Sequence, residues 1–170
     1  MARFDLYAPL LKKLEGGWKY TNRPSDKGGP TLCGVTLKTF REEFGQDKTI
    51  ADLKAMTEAQ WTRIMKKHWD AGKCTEIQNQ WVAELIADWV VNSGPKVLKK
   101  VQSIVGVEVD GIVGKKTLAA INAANPRCLH CKILQARYDY YDRLIAADAT
   151  QEVNRVGWYN RLKNFDRYAR

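Results

Sequence analysis

Apolar residues recur at helical spacing from the start of the chain. Phe4, Tyr7, Leu11 and Leu14 share one side of a 3.6-residue repeat and predict an amphipathic helix ended by Gly16-Gly17. The repeat then breaks: residues 18–36 hold two Pro, several Gly and a run of Thr, Asn, Ser and Asp, predicting an irregular loop or a small β-hairpin. Phe40 and Phe44 mark a short helix stopped at Gly45, and Ile50, Leu53 and Met56 a further turn or two. Thr57-Glu-Ala-Gln60 has the form of a capping box, in which the two side chains satisfy each other's backbone amides, and opens a helix through Trp61, Ile64, Met65 and His68. Trp81, Leu85, Asp88, Trp89 and Asn92 fall on one face of the next helix, which ends before Gly94-Pro95. Val97, Leu98, Val101, Ile104 and Val105 predict another, closed by Gly106; a turn at Asp110-Gly111 and Gly114 precedes a helix with Thr117, Leu118 and Ile121. A long helix follows Pro126, through Ile133, Leu134, Tyr138, Tyr141, Leu144 and Ile145, and a last one carries Trp158, Leu162 and Phe165. Strand-like alternation is absent outside residues 18–36, so the expected class is mainly α with one small β element.

Composition narrows this picture. A chain of 170 residues with 45% hydrophobic and 28% charged side chains suits one folded core, not a disordered segment. Six Trp and seven Tyr favour a core rich in rings and leave room for rings that stack on sugars. The net charge of +9 is uneven: residues 1–95 hold 14 Lys and Arg against 12 Asp and Glu, and residues 96–170 hold 14 against 7. A basic second half predicts a polyanionic partner, whether nucleic acid, an anionic membrane surface or a cell wall. Basic residues are scattered, with no cluster of Arg on one helix, so nucleic acid is not expected. No window approaches a membrane span, so stable membrane insertion is not expected either. No signal peptide follows the opening Met-Ala-Arg-Phe-Asp, which predicts synthesis in the cytoplasm with reduced thiols. Cys128-Leu-His-Cys131 has the spacing of half a zinc site, but the second pair is missing, because Cys33 and Cys74 lie far away in sequence. Neither a metal nor a cofactor is expected.

The candidate chemistry begins at Glu15. It lies four positions after Leu11, at the edge of the apolar stripe, and at a helix end where the backbone dipole disfavours negative charge. Both effects favour the neutral acid that proton donation requires. The following Gly-Gly lets a substrate or a neighbouring backbone come close. Taken alone, the position also fits an ordinary exposed Glu before a glycine cap. Asp26 and Thr31 follow 11 and 16 residues later, beside Gly28-Gly29. Glycoside hydrolysis needs an acid to protonate the leaving oxygen and a second polar group to activate water or stabilise the cationic transition state. A helix-terminal Glu and a Gly-rich loop bearing Asp and Thr can supply both, although Asp26 in Ser-Asp-Lys-Gly-Gly also fits a turn residue.

At this point the chain resembles glycoside hydrolase family 108, lysozyme-like N-acetylmuramidases that include phage-type endolysins and proteins called putative secretion activators. The likeness rests on Glu15-Gly-Gly-Trp18 and on Asn22-Arg-Pro24-Ser-Asp26-Lys-Gly28-Gly29-Pro-Thr31-Leu-Cys-Gly34-Val35-Thr36. It continues through Trp69-Asp70, Asp88-Trp-Val-Val-Asn92-Ser-Gly94 and Val101-Gln102, then Asp110-Gly111-Ile-Val-Gly114-Lys-Lys-Thr117-Leu118 and Gly157-Trp158-Tyr-Asn160-Arg161. The resemblance implies a lysozyme-like helical fold in which Glu15 is the catalytic acid, with Asp26 and Thr31 as helpers. Trp18, Gly28, Gly29, Trp69, Asp88 and Asn92 are expected to contact substrate; for Asp88 and Asn92, a buried hydrogen-bonded pair is an equal alternative. The Asp110–Ile121 stretch resembles the turn of peptidoglycan-binding helical modules. The expected organisation is a catalytic region over residues 1–94 and a helical peptidoglycan-binding-like region over 95–170, packed on the same core. The implied partner is the glycan strand of bacterial peptidoglycan, met by a monomer in the periplasm or wall after holin-type or dedicated export. A lytic transglycosylase and a non-catalytic wall-binding module are the alternative readings.

Overall fold

The computed structural model describes residues 1–22 and 29–166. Its architecture is mainly α and lysozyme-like, with nine α-helices and one small antiparallel sheet among the described residues. Contacts divide the chain into two compact units, residues 4–67 and residues 1–3 with 68 onward.

The first unit opens with α1 (Phe4–Leu14), whose Phe4, Tyr7 and Leu11 are buried, as the apolar repeat predicts. Its end is a Schellman cap: Gly17 N–H donates to Lys12 O at 2.8 Å and Gly16 N–H to Lys13 O at 3.1 Å, with Gly16 at φ +84°. Glu15 is therefore the last residue held by the helix, its own N–H bonded to Leu11 O at 2.9 Å. Where the sequence suggested a loop or a hairpin, three two-residue strands form: β1 (Tyr20–Thr21), β2 (Thr31–Leu32) and β3 (Val35–Thr36). They pair antiparallel in the order β1-β2-β3, with Thr21 opposite Thr31 and Leu32 opposite Val35. Strands this short carry no readable period of two, so the sequence marks a small β element here but not its three strands or their register. α2 (Leu37–Phe44) starts under a Thr36 cap that accepts from Thr39 N–H at 3.1 Å, and ends at Gly45. α3 (Ile50–Lys54) has a Thr49–Asp52 capping box. α4 (Glu58–Ala71) opens on the expected one: Thr57 N–H donates to Gln60 Oε1 at 2.9 Å and Gln60 N–H to Thr57 Oγ1 at 3.2 Å. Glu43 on α2 accepts from both Arg63 and Lys67, one turn apart on α4.

The second unit is built around α5 (Gln80–Ser93). Every residue from Val82 to Val90 is buried, so this part of the helix is enclosed on all sides and does not present a single face. Around it lie α6 (Leu98–Val105), α7 (Lys115–Ala123), the 22-residue α8 (Pro126–Ala147) and α9 (Arg155–Lys163). α8 begins as its sequence directs: Asn125 caps Cys128 N–H at 3.0 Å, and Pro126 occupies the first turn, where its missing N–H costs nothing. Phe165 lies just past α9 and is buried all the same. The first three residues belong here, since Ala2 N–H donates to Ile77 O at 2.7 Å while Arg3 exchanges backbone bonds with the Gln80 side chain.

Candidate active site

The site of the first unit is assembled where the β2–β3 turn meets the end of α1. Leu32 and Val35 pair directly, leaving Cys33 and Gly34 as a two-residue hairpin turn. Both have positive φ, +47° and +77°, the combination that the twist of a two-residue hairpin favours. Positive φ is ordinary for glycine and strained for cysteine, and two contacts hold Cys33 in place. Its side chain is buried, and its carbonyl accepts the indole N–H of the buried Trp61 at 2.9 Å. The glycine is required for a further reason. A side chain at position 34 would run into the end of the Glu15 side chain, whose Cγ and Cδ would lie 2.9 Å from an added Cβ. The turn is therefore a backbone floor on which the Glu15 side chain rests, itself half-buried.

Charge around this floor is mixed. Lys12, one turn before Glu15, bonds the Glu58 carboxylate, and its ammonium lies 5.1 Å from the Trp61 ring and 6.0 Å from the Trp18 ring. Burial pushes the Cys33 thiol up to about 11; the nearby Glu15 carboxylate adds to the rise and Lys12 opposes it. Glu15 and Lys12 thus both act electrostatically on the turn. Trp18 is 46% exposed, an indole face open to solvent. Tyr20 on β1 is half-buried under the Lys54 ammonium, 4.5 Å from its ring.

Of the residues singled out from sequence, Glu15, Trp18, Gly29 and Thr31 belong to this unit. Thr31 is half-buried on β2 and donates its hydroxyl to Gly29 O at 2.9 Å. Asp26 and Gly28 lie outside the described residues. Trp69, Asp88 and Asn92 belong to the second unit. There the side chain of Trp69 is placed in the core, with no exposed surface, and its indole N–H donates to Thr75 Oγ1 at 2.8 Å. Asp88 is likewise fully buried, bridging Arg137 at 2.8 Å and Arg161 at 2.8 Å. Asn92 Oδ1 accepts the Tyr141 hydroxyl. Asp88 thus belongs to a buried ion network tying α5 to α8 and α9, while Asn92 is bonded separately to Tyr141. Sequence reasoning did not single out Lys12, Gly34 or Trp61 as site residues. Lys12 had one available signal, its position three residues before Glu15 on the same helical face. Gly34 and Trp61 matter only through the turn they support, which no local pattern encodes.

In the second unit the Asp110-Gly111 turn is fixed by the buried Gln102. Its amide donates to Asp110 Oδ1 at 2.7 Å and to Ile112 O at 3.0 Å, and its carbonyl accepts Gly111 N–H at 2.7 Å. Lys99, Lys100, Lys115 and Lys116 are exposed around it. Cys128 and Cys131 are exposed while His130 between them is buried, so the three do not converge. Among the described residues no group of three or more His, Cys, Asp or Glu could hold a metal ion, and no helix is long and apolar enough to cross a membrane.

Comparison with known proteins agrees with both halves of this picture. The model of the family Glycosyl hydrolase 108 matches residues 9–94, and that of the Predicted Peptidoglycan domain matches residues 96–163. The solved structure of Brucella abortus SagA is similar along its length, with a TM-score of 0.70 and 26% identity over 98% of this chain and 99% of that one. No curated protein matches the chain. The chain belongs to glycosyl hydrolase family 108 and is a peptidoglycan hydrolase in which a peptidoglycan-binding region follows the glycosidase region.

Proposed function

We propose that this protein is an N-acetylmuramidase that hydrolyses the β-1,4 bond between N-acetylmuramic acid and N-acetylglucosamine, with Glu15 as general acid. The observation that carries the proposal is the seat of Glu15. Glu15, half-buried at a helix C-terminus, has its carboxyl group against Gly34 of the turn, with the exposed Trp18 three residues further along the chain. Such a group can reach the leaving glycosidic oxygen while being shielded from bulk water on its other side. Trp18 offers a flat apolar surface for the face of a sugar ring. Asp26 supplies the second group, activating water or stabilising the developing oxocarbenium charge. Thr31, already anchored to Gly29 O, orients water through its remaining lone pairs. Residues 1–94 carry the chemistry, and residues 95–170 grip the wall through peptide-stem carboxylates and other anionic polymers.

Digestion of purified peptidoglycan, followed by mass spectrometry of the released fragments, tests the reading. Wild type should expose N-acetylmuramic acid at the reducing end, and Glu15→Gln should lose at least ~10²-fold in rate while keeping its circular dichroism spectrum. Near wild-type turnover in Glu15→Gln would remove Glu15 from the mechanism. Release of an anhydromuramyl product would make the enzyme a lytic transglycosylase.

A further inference from the structure

The four cysteines divide into two kinds. Cys33 and Cys74 are buried, and burial pushes both thiols up, Cys74 most strongly. Buried thiols of this kind stay protonated and unreactive. Cys128 and Cys131 are both exposed. They sit three positions apart in the first two turns of α8, on the solvent side of the helix, while Leu129 and His130 between them face inward. Beside Cys128 is an open cavity of about 200 Å³, lined by Ile104, Val105, Ala120 and Leu129 together with Cys128 itself and the polar Asn125 and Lys132. An exposed pair of thiols on one helical face, next to a recess of mixed polar and apolar lining, is a different environment from that of the two buried cysteines.

We infer that Cys128 and Cys131 form a redox-active dithiol, a site of thiol–disulfide exchange that closes to an intrahelical disulfide. The co-reactant is a disulfide of a small thiol or of another protein, part of which rests in the neighbouring cavity. The Cys128 thiolate, at the cavity edge, attacks one sulfur of that disulfide. A mixed disulfide forms as the old bond breaks, and the leaving sulfur takes a proton to become the first free thiol. The Cys131 thiolate then attacks the Cys128 sulfur, forming the Cys128–Cys131 bond and expelling the second thiol. The two cysteines give up two electrons and two protons, and the incoming disulfide leaves as two thiols.

Geometry sets the character of this bond. Side chains three apart on a helix have Cβ atoms about 5–6 Å apart, whereas a disulfide needs about 3.5–4.5 Å. Closure must therefore tighten the helix by about 1–2 Å. The place is suited to it. Cys128 N–H is held by the Asn125 side chain and not by a carbonyl one turn back, so the backbone there can adjust. A strained, exposed disulfide of this kind is easily reduced, making the site a reversible one.

The test equilibrates the full-length protein with mixtures of oxidised and reduced glutathione, blocks remaining thiols with an alkylating reagent, and reads tryptic peptides by mass. Cleavage after Arg127 and Lys132 isolates both cysteines in one five-residue peptide. Under oxidised glutathione this peptide should lose two hydrogens and escape alkylation; under reduced glutathione it should carry two alkyl groups. Cys33 and Cys74 should be alkylated only after denaturation, which shows that the fold stayed closed. Cys131→Ser should instead accumulate the mixed disulfide of glutathione on Cys128. Two alkylatable thiols at every ratio, stable glutathione adducts on both wild-type cysteines, or disulfide-linked dimers in place of the closed peptide would each overturn the proposal.

Discussion

At Gly34 the absence of one methyl group determines where the proposed acid can lie. The residue has φ +77°, and an added Cβ would strike the Glu15 carboxyl group. Gly34→Ala therefore carries two separable penalties. The left-handed backbone costs about 1–2 kcal/mol for a residue with a side chain. The clash is relieved by swinging Glu15 away, since a flexible side chain gives before a hydrogen-bonded turn does. Activity should fall by more than the stability loss accounts for, and a denaturant titration beside a turbidity assay on cell walls separates the two. Proportional losses in both would show that the turn has only a folding role. Lys12 belongs to the same scale: its bond to Glu58 and its place near the Trp61 and Trp18 rings fix a positive charge one turn from Glu15.

Between elements, the strongest tie among the described residues is the carboxylate of Asp88 on α5, shared by Arg137 of α8 and Arg161 of α9. Burial alone would raise this carboxyl, but the two guanidinium groups outweigh it and hold it below its ordinary value. A carboxylate depressed on folding stabilises the native state above its unfolded value near 4, and that contribution is lost as pH falls through the lower folded value. Asp88→Asn should cost about 3–5 kcal/mol near neutral pH, because Arg137 is left buried without its counter-charge. Urea unfolding between pH 2 and 6 should also show a flatter acid dependence in the variant; an unchanged slope would assign the acid sensitivity elsewhere. The same ion network explains what was legible in the sequence. Helices with a clean stripe, α1, α2, α4 and α6, could be placed from their own residues, caps included. The role of Asp88 could not, because its partners lie 49 and 73 positions later. The small β element was legible as a break in the helical pattern over residues 18–36, but its division into three strands was not, because two residues each are too few to show alternation. Glu15 stood out because its helix end and glycine pair are local signals, whereas the floor beneath it is made by a turn that begins eighteen residues further on.

For the molecule as a whole, charge is divided along the chain more sharply than structure is. Residues 96–170 hold 14 basic and 7 acidic side chains, and the family match to a peptidoglycan domain covers 96–163. Lys99, Lys100, Lys115 and Lys116 are exposed there, and the Lys99 stem lies against Gly111 of the fixed turn. Replacing all four by Gln should weaken cosedimentation with purified walls, most at low ionic strength, where screening is least. Hydrolysis of a short soluble glycan should hardly change. Equal loss of both activities at every salt concentration would mean that these lysines serve cleavage itself.

The burial of residues 82–90 of α5 has a consequence for how the molecule opens. Residues 82–90 are all buried, and Asp88 anchors the stretch through ion pairs with two arginines. Local fraying cannot expose such a segment; its amide hydrogens can exchange with deuterium only when the surrounding helices separate. The slowest-exchanging amides of the second unit should therefore map to this stretch. Their protection measures the free energy of cooperative unfolding there, independently of any probe placed in the first unit.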